Sequence, residues 1–119
     1  MPPYFHVEEY LDANGEDVTG QLVKLFDADK PLFGIAAYIR LLRGWEAQKL
    51  LYPPPLSETL LLATRTPHIQ IWDFYETGNC LMHSYSRDRN EVVLLGIFDG
   101  KAKAHLAEAQ KRVRDIYSL

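Results

Sequence analysis

Three consecutive segments in the second half of the chain have the residue pattern of β-strands. They run from Ile69 to Glu76, from Cys80 to Ser86 and from Val92 to Phe98. Glu76-Thr77-Gly78-Asn79 and Asp88-Arg89-Asn90, which separate them, are turn sequences. The third segment is apolar throughout, which favours a central strand buried on both faces. The pattern therefore predicts a three-strand antiparallel meander.

The first half of the chain predicts one strand and two helices. Tyr4 to Leu11 is rich in aromatic and β-branched residues, and Asn14-Gly15 ends this opening strand with a turn. Apolar residues recur at helical spacing from Glu16 to Phe26 and again from Ile35 to Leu50. The two helices should therefore pack together.

Two residues mark the limits predicted for the second helix. Asp29 precedes Lys30-Pro31, which predicts an N-cap followed by a proline in the first turn. Gly44 costs about 1 kcal/mol relative to alanine inside a helix, so a bend or an end is expected there. Leu60 to Arg65 fits either a strand or a short helix.

A last helix is predicted from about Gly100 to Tyr117. Its apolar stripe consists of Ala102, Leu106, Ala109, Val113 and Ile116. This stripe must cover the sheet, because no other element of similar size remains to bury it. The fold class is therefore α+β, with an N-terminal strand and two helices, then the meander, closed by the C-terminal helix.

Length and composition limit the class of protein. With 119 residues, 47% of them hydrophobic, the chain suffices for one core, so residues 1–119 are expected to form a single domain. Cys80 is the only cysteine, so no internal disulfide can form. The sequence has neither a signal-peptide pattern nor an apolar run long enough for a bilayer. We expect a cytoplasmic protein without membrane contact.

The charges change along the chain. The net charge of -3 argues against a dedicated nucleic-acid binder, because Lys and Arg supply most non-specific affinity for phosphate. Positive charge is nevertheless concentrated in the second half. It comes from Arg65, Arg87, Arg89, Lys101, Lys103, Lys111, Arg112 and Arg114.

No familiar metal or cofactor motif is present. The four histidines are scattered, and no Cys or His pair has the spacing of metal ligands. The seven glycines form no phosphate-binding loop. We therefore expect no metal and no cofactor.

A candidate for chemistry lies on the second predicted strand. His83 and Tyr85 are two residues apart and so share a face, with Arg87 at the strand's end. A proton-transfer group, a hydroxyl and a cation would suit phosphodiester cleavage. The alternative is a partly buried, hydrogen-bonded histidine of the sheet. Asp73 and Tyr75 could share the same surface if the strand register brings them opposite.

Cationic groups also lie at the start of the last helix. Lys101, Lys103 and His105 could contact phosphate. Cations at a helix N-terminus interact unfavourably with the helix dipole, which suggests another use for them. Ordinary solvated charges are the alternative.

The same segments resemble a known group of proteins. IWDFYE, a strand that ends in SYSRD, and then VVLLGIFDGKAKAHLAEAQKRVRDIY are similar to the RelE/ParE superfamily, in particular its HigB-like, phage-derived toxin branch. Members typically carry YELR on one strand, YRxxY on the next, and LLHxFxKKTxKTP before a helix with a recurrent alanine. The resemblance covers the second half of the chain, and the first half agrees with it only in the order of elements.

The first two motifs keep few of the family's residues. Asp73-Phe74-Tyr75 stands where the family has ELR, so Tyr75 occupies the arginine position. Leu81-Met82-His83-Ser84-Tyr85 stands where YRxxY would. It keeps Tyr85 but has Met82 in place of the arginine.

The third motif also departs from the family. Phe98-Asp99-Gly100-Lys101 stands where FxKK would, keeping Phe98 and Lys101 with one lysine fewer. Two arginines and a lysine that would stabilise transition-state charge are thus absent. Arg65, Arg87 and Arg89 are the neighbouring residues that could replace them.

The resemblance implies a toxin that cleaves mRNA, often at the ribosome, and is silenced by an antitoxin. We therefore expect an mRNA-cleaving or translation-inhibiting protein, with a metal-independent endoribonuclease as the favoured activity and a helix-turn-helix antitoxin as partner. The residues assigned to catalysis are His83, Tyr85, Arg87 and Lys101. Those assigned to RNA binding are Arg65, Arg89, Lys103 and His105.

Two other functions stay open. A catalytically degenerate relative would act as a protein-binding module, docking a partner or pairing with itself. The acidic balance and the absent arginines motivate this alternative. A small-molecule-binding α+β domain is the third possibility, supported only by the aromatic content.

Overall fold

The computed structural model describes residues 3–54, 61–63 and 69–117, and for residues 61–63, 69, 70, 72, 73 and 75 only the backbone is considered. Five strands and three α-helices occupy these residues. In chain order they are β1 (His6–Glu9), α1 (Val18–Asp27), α2 (Phe33–Ala47), β2 (Leu61–Ala63), β3 (Ile69–Glu76), β4 (Asn79–Ser86), β5 (Glu91–Asp99) and α3 (Leu106–Tyr117). A short 3-10 helix, Ala102–His105, leads into α3. The α+β class is therefore confirmed.

The five strands form one mixed sheet in the order β1-β5-β4-β3-β2. The pairs β2–β3, β3–β4 and β4–β5 are antiparallel. β1 pairs with β5 in parallel, which aligns His6 with Glu91. β2 lies within residues 60–65, for which the sequence had allowed either a strand or a short helix.

β5, an interior strand between β1 and β4, is covered on both sides. Val92 and Leu94 belong to the core beneath α1 and α2, whereas Val93 and Leu95 belong to the core beneath α3. Adjacent strand residues point to opposite faces, so an apolar strand needs an apolar layer on each side. The helices therefore form two layers, with the sheet between them.

A β-bulge adjusts β5 near its middle. The register with β4 skips Leu95, so this strand has one residue more than its partner. The Arg112 guanidinium donates from Nη1 to the Leu95 carbonyl oxygen at 2.6 Å. A Cβ on Gly96 would lie 2.8 Å from the same nitrogen, so a side chain there would force the Arg112 guanidinium to shift.

The N-terminus of α2 is capped by a carboxylate side chain at the end of a sheet strand. Its N-cap residue, Leu32, makes no side-chain cap. Instead Glu76, at the end of β3, accepts hydrogen bonds from the backbone N–H of Gly34 at 2.9 Å and of Ile35 at 2.7 Å. A Cβ on Gly34 would lie 2.9 Å from a Glu76 carboxylate oxygen. The carboxylate therefore satisfies two N–H groups that the helix itself leaves unpaired.

Two predictions about α2 were wrong. Asp29 does not cap the helix, which begins at Phe33; Asp29 has a positive φ of 58° in the connection that precedes it. Gly44 does not end the helix, which continues to Ala47. The cap comes from a distant residue, and beyond the glycine Trp45 packs against the core and holds the last turn of the helix.

Replacing Glu76 by alanine is expected to lower the free energy of unfolding by about 1–3 kcal/mol, because two backbone N–H groups lose their acceptor. Urea unfolding followed by circular dichroism measures the change. Glu108→Ala, which removes a half-exposed carboxylate of an i,i+4 pair, should cost only about 0.5 kcal/mol or less. Equal losses in the two variants would contradict the role of Glu76.

Candidate functional site

His83 lies inside the core formed by the sheet and α2. Its ring is 1% exposed, and its Nε2 is hydrogen-bonded with the hydroxyl of Tyr38 at 2.9 Å. Burial lowers the pKa of His83 to about 3 and raises the pKa of Tyr38 to about 12. Both groups are therefore neutral at neutral pH, and the imidazole faces α2 rather than the surface.

Tyr85 is half-buried on the same face of β4. Its hydroxyl donates to the side-chain oxygen of Asn90 at 3.2 Å. The Asn90 amide donates to the carbonyls of Pro3 and Leu51, which ties the β4–β5 turn to two other loops. Burial raises the pKa of Tyr85, although the charge of Arg87 opposes this.

The register of β3 decides which residues lie opposite His83 and Tyr85. Trp72 pairs with His83, and Gln70 pairs with Tyr85. Asp73 pairs with Met82 instead. The sequence had allowed Asp73 and Tyr75 to lie opposite His83 and Tyr85. The register does not place them there.

The positively charged candidates are split between the two ends of β5. Arg87 and Arg89 are exposed in the turn before the strand, whereas Lys101 and Lys103 are exposed after it. A strand of nine residues spans about 26 Å between its terminal residues. The structure therefore does not bring Arg87 and Lys101 into one site.

The remaining RNA-binding candidates differ in their surroundings. The His105 ring stacks on Phe98 with centroids 5.0 Å apart, and a ring nitrogen contacts the carbonyl oxygen of Asp99. Arg65 lies outside the described residues. The catalytic and RNA-binding roles assigned from the sequence stay predictions, and the structure decides only how the described residues are placed.

A different group of polar residues meets at the start of β5, and we call it the Glu91 cluster: His6, Glu8, Arg89, Glu91 and Tyr117. Glu91 is only 8% exposed. One of its carboxylate oxygens accepts from the Tyr117 hydroxyl at 2.8 Å, and the other faces His6 Nε2 at 2.8 Å. The parallel pairing of β1 with β5 creates this contact.

His6 is held at both ring nitrogens. Its Nδ1 lies 3.2 Å from the carbonyl oxygen of Tyr4, which can only accept a hydrogen bond, so Nδ1 carries a proton. Burial lowers the pKa of His6, but the hydrogen bonds to Tyr4 and Glu91 and the charges of Glu91 and Glu8 outweigh it. The net effect raises the pKa.

Two further contacts complete the Glu91 cluster. The Arg89 guanidinium lies over the Tyr117 ring, 4.6 Å from its centroid. Burial, together with the hydrogen bond and charge of Glu91, raises the pKa of Tyr117. The cluster thus combines an imidazole, carboxylates, a phenol and a guanidinium, which can exchange protons or bind a cation.

Only part of this cluster could have been found from the sequence. His6 and Glu8 are two residues apart in the predicted opening strand, which places them on one face. Glu91 precedes the apolar run, but nothing in its neighbourhood indicates a contact with residue 6. The parallel pairing of the first and last strands had not been predicted.

A second feature lies at the opposite end of the sheet. Val23, Phe26 and Phe33 form an exposed apolar surface, which we call the Phe26–Phe33 patch. The two phenylalanine rings meet edge to face with centroids 5.6 Å apart. Beside them, residues 29–32 and 77–79 line much of a cleft of about 440 Å³.

Comparisons with protein families, with curated proteins and with solved structures find no match for this chain. Of the helices in the described parts of the chain, none has the length and apolar character needed to cross a bilayer.

The His83 imidazole is expected to remain neutral in NMR titrations down to about pH 4, because burial disfavours its charged form. Its folded-state pKa lies below the unfolded value of about 6.5, so its contribution to stability is complete above that pH and is lost as the pH falls toward 3. A spectrum of His83→Gln assigns the signal, and protein in urea provides the unfolded reference. A His83 midpoint near 6.5 in the folded protein would contradict the buried placement.

Proposed function

We propose that this protein is a RelE/HigB-like relative that acts as a protein-binding module. The observation that carries the proposal is the Phe26–Phe33 patch, an apolar surface left exposed on the α1–α2 layer. Phe33 is 64% exposed, more than any other large hydrophobic side chain in the described residues. Aromatic residues are enriched in protein interfaces, because they contribute large apolar areas at little cost in conformational entropy.

The surroundings of His83 support binding over catalysis at β4. A general acid or base must reach the proton that it transfers, directly or through one water molecule. The His83 ring is buried against Tyr38, and its low pKa keeps it neutral. These properties suit a structural histidine better than a catalytic one.

The fold supports the relationship to the toxin family. A strand and two helices precede the antiparallel strands, which here include the short β2 as well as β3 to β5, and a helix closes the chain. Such toxins pack a sheet against helices and bind an antitoxin. A partner in the antitoxin role, a helix-turn-helix protein with apolar side chains at its contact surface, would cover the Phe26–Phe33 patch.

Expression together with the product of the neighbouring reading frame tests this proposal. We expect the two proteins to co-purify, and the double variant Phe26→Ser/Phe33→Ser to lose the partner because its apolar contact area is removed. Leu11→Ser is the matched control, since Leu11 is 61% exposed and lies outside the patch. Failure to co-purify, or retention of the partner by the double variant, would contradict the proposal.

RNA cleavage is the second candidate, and the Glu91 cluster favours it. The cluster joins an imidazole and a carboxylate at 2.8 Å, with exposed Arg87 and Arg89 in the adjoining turn. His6 is accessible, with 35% of its side chain exposed. Proton transfer by His6 and Glu91 and phosphate binding by Arg89 would be the roles in a metal-independent endoribonuclease.

Purified protein incubated with single-stranded RNA, with EDTA present, distinguishes the two functions. If the protein cleaves RNA, His6→Ala and Arg89→Ala should each slow cleavage by about a hundredfold or more, because a proton carrier or a charge-stabilising group is lost. Lys30→Ala, an exposed lysine at the opposite end of the sheet with no assigned role, should cleave normally. Intact RNA, and normal growth of cells that make abundant protein without a partner, would exclude this candidate.

A further inference from the structure

The described residues also hold a potential metal-binding group that the sequence motifs did not reveal. His6, Glu8 and Glu91 each offer one ligand atom, and these atoms all lie within 4.8 Å of one another. We propose that these residues bind a divalent first-row transition metal ion, with zinc as the best match. The inference does not rest on the proposed function, because the Phe26–Phe33 patch lies at the other end of the sheet.

The backbone brings the three ligands together. His6 and Glu8 are alternate residues of β1, so their side chains leave the same face. Glu91 is the β5 residue aligned with His6 in the parallel pair. Two neighbouring strands thus position the ligands, and strands hold side chains more rigidly than loops do.

Hydrogen bonds already orient two of the ligands. The carbonyl of Tyr4 accepts from His6 Nδ1, so Nε2 is the nitrogen turned toward the carboxylates. The Tyr117 hydroxyl donates to one oxygen of Glu91 and leaves the other facing His6. A backbone carbonyl behind the histidine and a donor behind the carboxylate are typical partners of metal ligands. This arrangement is more specific than a group of acidic side chains alone.

The distances suit a small cation. At zinc bond lengths of about 2.0–2.2 Å, tetrahedral ligand atoms are roughly 3.4 Å apart. His6 Nε2 and the Glu91 oxygen are 2.8 Å apart, a contact that requires a proton between them unless a metal ion replaces it. A small separation of these two groups and a rotation of exposed Glu8 would complete the site.

The donor set selects the kind of metal. Calcium and magnesium prefer oxygen ligands alone, whereas an imidazole nitrogen favours zinc and its neighbours. Two carboxylates neutralise a divalent charge. Three protein ligands leave a fourth position for water, the ligand count found in catalytic zinc sites.

Titration calorimetry of the EDTA-treated, desalted protein with zinc chloride tests the site. We expect one zinc ion per chain, and binding more than tenfold weaker in His6→Ala, Glu8→Gln and Glu91→Gln. Glu108→Gln, a carboxylate outside the cluster, should bind zinc as the wild type does. Glu8 is exposed, so its variant remains informative even if the two others unfold.

Cobalt provides a second measurement, because its visible absorption reports the ligands directly. The spectrum should appear with the wild type and disappear with His6→Ala. No binding at millimolar zinc, or equal binding by the wild type and Glu8→Gln, would overturn the proposal. Partner co-purification should be unchanged by EDTA, so failure of the metal site and failure of the binding function can be told apart.

Discussion

The burial of β5 on both faces is the constraint on which the rest of the structure depends. Val92 and Leu94 require an apolar layer on one side, and Val93 and Leu95 require one on the other. Each fully buried side chain of this kind contributes about 1.5–3 kcal/mol, so neither face can be left in water. The helices therefore divide into α1 and α2 on one side and α3 on the other.

The position of β5 also decides where polar chemistry can occur. Side chains in the middle of the sheet are covered by helices, which is why His83 is neutral and hydrogen-bonded inside the protein. Along β4 and β5, polar side chains are accessible only near the strand ends. At the start of β5, the parallel strand β1 places His6 beside Glu91. The hydroxyl of Tyr117, at the end of α3, donates a hydrogen bond to Glu91.

Contacts between distant residues set the positions of the helices. Glu76 caps α2 from the end of β3, and Arg112 anchors α3 to the bulge in β5. A Cβ on Gly34 or Gly96 would lie within 3.0 Å of the partner group, so a side chain at either position would force that group to shift. The apolar patterns alone would have allowed several positions for these helices. The two contacts select the observed ones.

The sequence by itself determined the α+β class, the hairpin turn at Thr77-Gly78, the interior place of β5 in the sheet and the apolar face of α3. These properties follow from residue periodicity and turn chemistry, which act over a few neighbouring residues. The cap of α2, the burial of His83 and the meeting of His6 with Glu91 were decided only by the tertiary structure. Each depends on residues more than forty positions apart, whose contact arises from strand order and register and leaves no local pattern in the sequence.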